Sequence, residues 1–384
     1  MSRFFDLVSK PVRDMGGPLP EYPAPQGFGD SERSIIRLDS NENPFGPSPR
    51  AVDAIHFCLS AANSYPDDDC SRLRHILADF HDIPAEQVMV TAGSTQMLAL
   101  LCQTMLAPGL NAVTSERSFI VYGMAVHATG AQLVEAPMRE DRIDLTAILD
   151  LINEHTRLVF LANPNNPTGT MLDAETVDRF ISEVPGHVVV VLDEAYYDFA
   201  AHFAERRKKG YSRSLHYVRN HASVVVLRTF SKAHGLAGLR VGYGIGPAEL
   251  LAYCMRMRNT FSVSSVAQAA ALAAIEDPGH IAQAVSNNAE QAQVMGVGMS
   301  EFGYRVVPTW ANFLYIDLGE DAAAFAECLR GEGVSVRPLG AWGAPNCIRV
   351  SIGTPAQNSA FLQSVQRVLV AKKPRARLSG NNSH

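Results

Sequence analysis

The chain has 384 residues, of which 47% are hydrophobic and 19% charged, so it carries enough apolar material for a large core and is neither a disordered tail nor a small disulfide-stapled domain. Its 33 basic and 39 acidic residues leave a net charge of −6, which gives no overall positive field for nucleic acid or anionic lipid and favours a small-molecule partner. Six scattered cysteines form no CxxC pair and twelve histidines no HExxH motif, so the thiols read as reduced residues of a cytoplasmic protein and no metal site is expected.

The N-terminal MSRFFDLVSK meets Asp6 and Lys10 before a secretory core could form, and no apolar run approaches the length of a membrane span. Pro18, Pro20, Pro23 and Pro25, mixed with Gly16, Gly17, Gly27 and Gly29, suit an extended arm. After the NENPFGPSP turn the pattern predicts helices over Ala51–Ala61 and Ser71–Phe80, then a strand at Val88–Val90 and an apolar helix at Thr95–Met105. Strands follow at Asn111–Thr114, Gln132–Glu135, Leu158–Ala162, Val188–Leu192, Val224–Leu227 and Val241–Ile245. Short continuous apolar runs separated by helices predict an α/β fold with a mostly parallel sheet covered on both faces. A long alanine-rich helix is expected over Ser264–Met299. Beyond it, strands at Arg305–Pro308, Asn312–Ile316, Val334–Val336 and Ile348–Ser351 around a helix at Ala322–Arg330 predict a smaller α+β unit. The organisation expected is an arm over 1–47 packing with the small unit, a large domain over 48–285, a small domain over 286–370 and a disordered tail over 371–384.

Lysine is scarce, and five of the six sit at the termini or in a charged run. Lys232 alone follows an apolar strand and opens a glycine-rich loop, at the sheet edge where ligands bind in α/β folds, which suits Schiff-base chemistry. The alternative is a lysine snorkelling beside the sheet. Asp193 ends the apolar run HVVVVL, where a carboxylate is costly to desolvate unless a cation or donors meet it. ANPNNPTG after LVFL is another strand end, from which Asn166 can present its amide, although alone it is a common turn. TAGST at 91–95 opens a helix whose N–H groups and hydroxyls can hold a phosphate, with Arg240 as the matching charge. GYGIG at 242–246 lacks the GxGxxG spacing and reads as a glycine-containing strand.

Taken in order, RTFSKAHGLAGLRVGY, NPNNPTG, DEAYYDF and CIRVSIGT resemble the fold-type I pyridoxal-phosphate aminotransferases, and most closely their histidinol-phosphate aminotransferase branch, from about Leu19 to Val368. The resemblance implies pyridoxal 5′-phosphate as cofactor. Lys232 then matches the lysine that bonds to it and moves the proton, Asp193 the aspartate that keeps its ring nitrogen protonated, and Tyr196 and Asn166 the groups on the ring 3′ oxygen. Phe119 matches the stacking aromatic, while Ser94, Thr95, Thr229, Ser231 and Arg240 match the phosphate site. Tyr65 matches a tyrosine that crosses the subunit boundary, which implies a homodimer with a shared site. Arg349 resembles the arginine on the substrate carboxylate. Arg337 is either a second anion contact or a surface arginine; Tyr22 and Asn312 fall on the substrate side. His234 and the long basic stretch 200–221 depart from the family pattern. The first is either a packing change or a tuned proton donor, and the second could reshape the mouth of the site. The implied reaction is L-histidinol phosphate plus 2-oxoglutarate to imidazole-acetol phosphate plus L-glutamate. An aromatic or other amino-acid aminotransferase, or a decarboxylase of the same fold, remains open. A non-enzymatic regulator is disfavoured because Lys232 and Asp193 are both present.

Overall fold

The computed structural model describes residues 7–14, 35–220 and 222–372. Its larger sheet has seven strands: β1 (Val88–Thr91), β2 (Asn111–Ser115), β3 (Gln132–Ala136), β4 (Thr156–Ala162), β5 (Val189–Asp193), β6 (Val224–Thr229) and β7 (Gly242–Ile245). Their spatial order is β1-β7-β6-β5-β4-β2-β3. All neighbours are parallel except β7, which runs antiparallel to both β1 and β6. Alternate residues of the central strands feed two separate cores, so these strands are apolar throughout rather than alternating. Val159, Leu161, Val190 and Val226 pack on one face with the helices Ser71–His81 and Ser265–Ile275. Leu158, Phe160, Val191 and Val225 pack on the other with the helix Ser94–Met105.

A second sheet contains β8 (Arg305–Val307), β9 (Phe313–Asp317), β10 (Arg337–Leu339) and β11 (Ala344–Ser351), in the antiparallel order β8-β9-β11-β10. It has its own core, with Leu314, Ile316, Ile348 and Val350 against Phe325, Phe361 and Val365. Before the helix Pro49–Cys58, Ile36 and Arg37 pair in parallel with Val334 and Ser335, which carries the chain from this unit toward the larger sheet.

Three sequence expectations need correction. The helix expected over Ser264–Met299 is two helices, Ser265–Ile275 and Pro278–Glu301. Pro278 cannot donate to a preceding turn, and the Asp277 side chain caps the new helix by accepting from His280 N. The strand expected over Val334–Val336 is split, because Val334–Ser335 pairs with Ile36–Arg37 whereas Arg337–Leu339 pairs with β11. The helix Pro355–Lys372 runs two residues into the segment expected as a tail, the rest of which lies outside the described residues.

Candidate active site

Parallel pairing places Ala162 opposite Asp193, and Asp193 opposite Leu227, so the carboxyl ends of β4, β5 and β6 lie side by side. The loops leaving them bring Asn166, Asp193, Tyr196, Thr229, Ser231 and Lys232 to one cavity of about 300 Å³. Ser94, Thr95, Phe119, Arg240 and Arg349 complete its wall, so eleven of the sequence-predicted residues converge there.

Asp193 is 5% exposed. Burial pushes its carboxyl up to about 6, against a hydrogen bond from Tyr122 and one from the backbone of Ala195. Tyr122 Oη donates to Asp193 Oδ2 at 2.9 Å, and Ala195 N to Oδ1 at 3.2 Å. These donors, with the Lys232 charge acting in the same sense, do not cancel the desolvation. Lys232 is half-buried and faces the cavity, with Nζ donating to Ser40 O at 3.2 Å and lying 5.7 Å from the centre of the Tyr196 ring. Burial first, then the Arg349 and Arg240 charges, brings its ammonium down to about 7, with Glu42 opposing. An amine in that range is available as a nucleophile or base near neutral pH.

The opposite end of the cavity is an anion cradle. Gly93 stands at the N-cap position of the Ser94–Met105 helix without a capping side chain, which leaves backbone donors of the first turn for a ligand. A Cβ on Gly93 would lie 2.6 Å from Arg240 Nη2, so glycine is what lets the guanidinium approach this turn. Arg240 also donates to Ala237 O at 3.0 Å, and Thr229 Oγ1 donates to Ser231 Oγ at 2.9 Å. The cradle accommodates a phosphate, and Asp193, on the cavity wall with it, accommodates a protonated heteroaromatic nitrogen.

Arg349 is buried on β11 and donates to Asn166 Oδ1 at 2.6 Å and to Asp39 O at 2.9 Å. A guanidinium only donates, so this contact fixes the Asn166 amide with its Nδ2 as the remaining donor. Tyr196 Oη accepts from Asn41 Nδ2 at 2.9 Å. Behind the strand ends, buried Arg228 pairs with Glu194 at 2.9 Å, and Ser214 Oγ also donates to Glu194, so the residue after Asp193 is tied to the sheet.

Three of the sequence-predicted residues lie elsewhere, and a fourth is not described. Tyr22 falls outside the described residues. Tyr65 is 82% exposed, stacked on Phe261 and away from the cavity of its own chain. Asn312 is buried behind the wall, where its Nδ2 donates to Asn41 O at 2.9 Å. Arg337 is also buried behind the wall rather than on the surface, directly opposite Arg349 on the paired strand. His234 packs against Phe230 with 4.7 Å between centroids and does not line the cavity, which is the packing alternative. Nor do the described residues 200–220 of the basic stretch line it; Tyr211 Oη donates to Asn163 O at 2.6 Å, bracing the β4 loop from behind. Sequence reasoning missed Ser40, Asn41 and Glu42 on the cavity wall and Tyr122 beneath Asp193. The NENP turn, polar and next to proline, was the available signal for the first three.

Comparison with known proteins is consistent across the chain. The family model "Aminotransferase class I and II" matches residues 33–365. A curated histidinol-phosphate aminotransferase 2 of Pseudomonas fluorescens is 42% identical over 363 residues, covering 94% of each chain. A histidinol-phosphate aminotransferase of Akkermansia muciniphila is 40% identical over 343 residues, covering 89% of this chain and 92% of that protein. Among solved structures, histidinol-phosphate aminotransferase from Sinorhizobium meliloti, in complex with pyridoxal 5′-phosphate, superposes with a TM-score of 0.81 at 28% identity, covering 88% of this chain and 92% of that one.

Proposed function

The chain belongs to the class I and II aminotransferases, and from that premise we propose that it is a pyridoxal-phosphate-dependent transaminase that exchanges the amino group of L-histidinol phosphate with 2-oxoglutarate. The observation that carries the reading is one cavity wall holding a half-buried lysine brought down to about 7, a buried carboxyl pushed up to about 6 and an arginine-lined helix N-terminus.

Pyridoxal phosphate, when bound, supplies an electron-withdrawing ring that accepts the electron pair left when the donor's α-proton departs. The residues of this chain do the rest. The helix N-terminus at Ser94, with Thr229, Ser231 and Arg240, would hold the phosphate. Asp193 would keep the ring nitrogen protonated, with Tyr122 holding the carboxylate in place. Tyr196 and the free Nδ2 of Asn166 would donate to the ring hydroxyl oxygen, and Phe119 would cover one face. Lys232 Nζ, its ammonium brought down to about 7, would take the proton from the amino donor's α-carbon and deliver it to the former aldehyde carbon of the cofactor.

Substrate recognition belongs to the basic side of the cavity. Arg349, on the cavity wall, would take a substrate carboxylate, and Arg337, opposite it on the paired strand behind the wall, would add positive charge suited to the substrate phosphate or the distal carboxylate of glutamate. The exposed Tyr65 would reach the phosphate of a partner subunit, so we propose a homodimer with shared sites. We also propose the division into a large domain over 48–285 and a small one over 286–370.

The test follows the visible band of protein loaded with pyridoxal phosphate through separate additions of L-histidinol phosphate, L-glutamate and L-phenylalanine. Rapid loss of the band with histidinol phosphate and slow loss with phenylalanine supports the substrate. If phenylalanine is the faster, the transaminase stands and the substrate is wrong. Absence of any band overturns the role of Lys232.

A further inference from the structure

The hairpin Met138–Arg139/Arg142–Ile143 carries Asp141 at its tip, outside the cavity. Asp141 is buried to 7% exposure, and its two carboxylate oxygens take different guanidinium groups. Oδ1 accepts from Arg117 at 2.9 Å, in the turn after β2; Oδ2 accepts from Arg305 at 2.8 Å, on β8 of the smaller sheet. Arg305 reaches on to Asp317, and Thr170 Oγ1 donates to Asp141 O at 3.1 Å. The carboxylate thus joins the turn after β2 to the smaller sheet, and the backbone carbonyl of the same residue takes the loop that carries Asn166.

Arg117 sits at φ +48°, a left-handed conformation that a side chain with a Cβ rarely adopts and that persists where surrounding contacts enforce it. Two sets of contacts do so. Its guanidinium is held by Asp141, and its carbonyl accepts from Asn165 Nδ2 at 3.0 Å. Ser118 Oγ donates to Asn165 Oδ1 at 2.9 Å, completing the lock. The next residue is Phe119, on the cavity wall, whose ring meets Tyr122 edge-on at 5.6 Å between centroids.

We propose that Asp141 is a positioning residue for the cofactor site. By holding Arg117 in its left-handed turn against the smaller sheet, it sets the angle at which Phe119 enters the cavity. Asp141 acts only through this turn and touches no ligand. The proposal rests on the reading of Phe119 as the residue that covers the pyridoxal ring.

The test measures the rate at which pyridoxal phosphate leaves the loaded protein for Asp141→Asn, Phe119→Ala and the double variant, with the thermal midpoint of each apo-protein recorded alongside. Asp141→Asn should speed release by about 3- to 10-fold, and Phe119→Ala should do the same or more. The double variant should release no faster than Phe119→Ala alone, because Asp141 has nothing left to position. Multiplicative rates, or a release rate unchanged by Asp141→Asn, overturn the proposal. Arg117→Gln cuts the same link and enters the same cycle, so a poorly folding Asp141→Asn leaves the question decidable. An unmodified chain that never retains pyridoxal phosphate overturns the functional reading and takes this inference with it; retention in the unmodified chain with no coupling overturns the inference alone.

Discussion

Tyr122→Phe removes one hydroxyl from a fully buried ring and leaves its volume in place. Tyr122 Oη donates to Asp193 Oδ2 at 2.9 Å, and the ring stacks on Phe160 at 4.8 Å between centroids, so the substitution separates the hydrogen bond from packing. Burial pushes Asp193 up to about 6 even with this hydrogen bond opposing it. A hydrogen bond to a charged group contributes about 1.5 to 3 kcal/mol, so its loss should move the Asp193 titration upward by about 1 to 2 pH units. Only the ionised carboxylate is a counterion for a protonated pyridine nitrogen. For a raised carboxyl, that counterion is lost as pH falls through the folded-state value, and the variant should lose it earlier. With the midpoint shifted by about 1.5 pH units, the ionised fraction near pH 6.5 falls about eightfold, and near pH 8.5 it hardly changes. The assay is equilibrium binding of pyridoxamine phosphate, which makes no bond to Lys232, across that range. Affinity for the variant should be about eightfold weaker at the acid end and within about twofold at the alkaline end. A ratio that stays constant with pH would show that Tyr122 does not act through the protonation of Asp193.

Lys232→Ala should abolish turnover and leave pyridoxal phosphate removable by dialysis; near-normal turnover, measured in a coupled assay, would take Lys232 out of its role. Mixed dimers of Lys232→Ala with Tyr65→Phe should recover part of the activity that each parent lacks, and failure in dimers shown to be mixed would count against a shared site. Gly242→Ala places a Cβ 2.6 Å from Ser94 N and 2.9 Å from Arg228 O, both backbone atoms that cannot swing aside. It should destabilise the chain by about 1 to 3 kcal/mol and weaken phosphate binding. An unchanged melting temperature by calorimetry would contradict that.

Lys232, Asp193 and Asn166 were legible because each ends or closely follows an apolar strand, and a polar group there has to be accounted for. Their convergence follows from parallel pairing, which puts successive strand ends on one edge. Tyr122 gave no such signal: it lies in an apolar stretch where a tyrosine is ordinary core, and its hydroxyl acquires meaning only when Asp193 comes into reach. Arg337 and Asn312 were harder still. Their places depend on the register of short antiparallel strands, and one residue of register reverses the face. Ser40 and Asn41 fall within the arm expected over 1–47, and the pairing of Ile36 and Arg37 with Val334 and Ser335 is what delivers them to the cavity. The break at Asp277-Pro278 was a standard helix-start signal masked by alanine on either side.

The shifts at Asp193 and Lys232 have one leading cause, burial, and it drives both groups toward neutrality. With Asp193 at about 6 and Lys232 at about 7, the charges of the pair nearly cancel near pH 6.5, and Arg240 and Arg349 outnumber Glu42 on the cavity wall. The field in the cavity is then positive, which selects ligands that bring anionic groups before it selects anything about their side chains. A ligand bearing both a phosphate and a protonated ring nitrogen gains twice, because its cation also ionises Asp193 and so restores a charge that the empty protein disfavours. Binding of such a ligand below about pH 6 should therefore release a proton from Asp193, and the affinity should fall with acidity for that reason. Burial moves the lysine in the opposite direction, bringing its ammonium down to about 7, so above that pH its neutral form predominates and reacts without first expelling a proton. Cofactor retention and amine reactivity thus draw on the same desolvated wall, and a substitution that wets it should weaken both together.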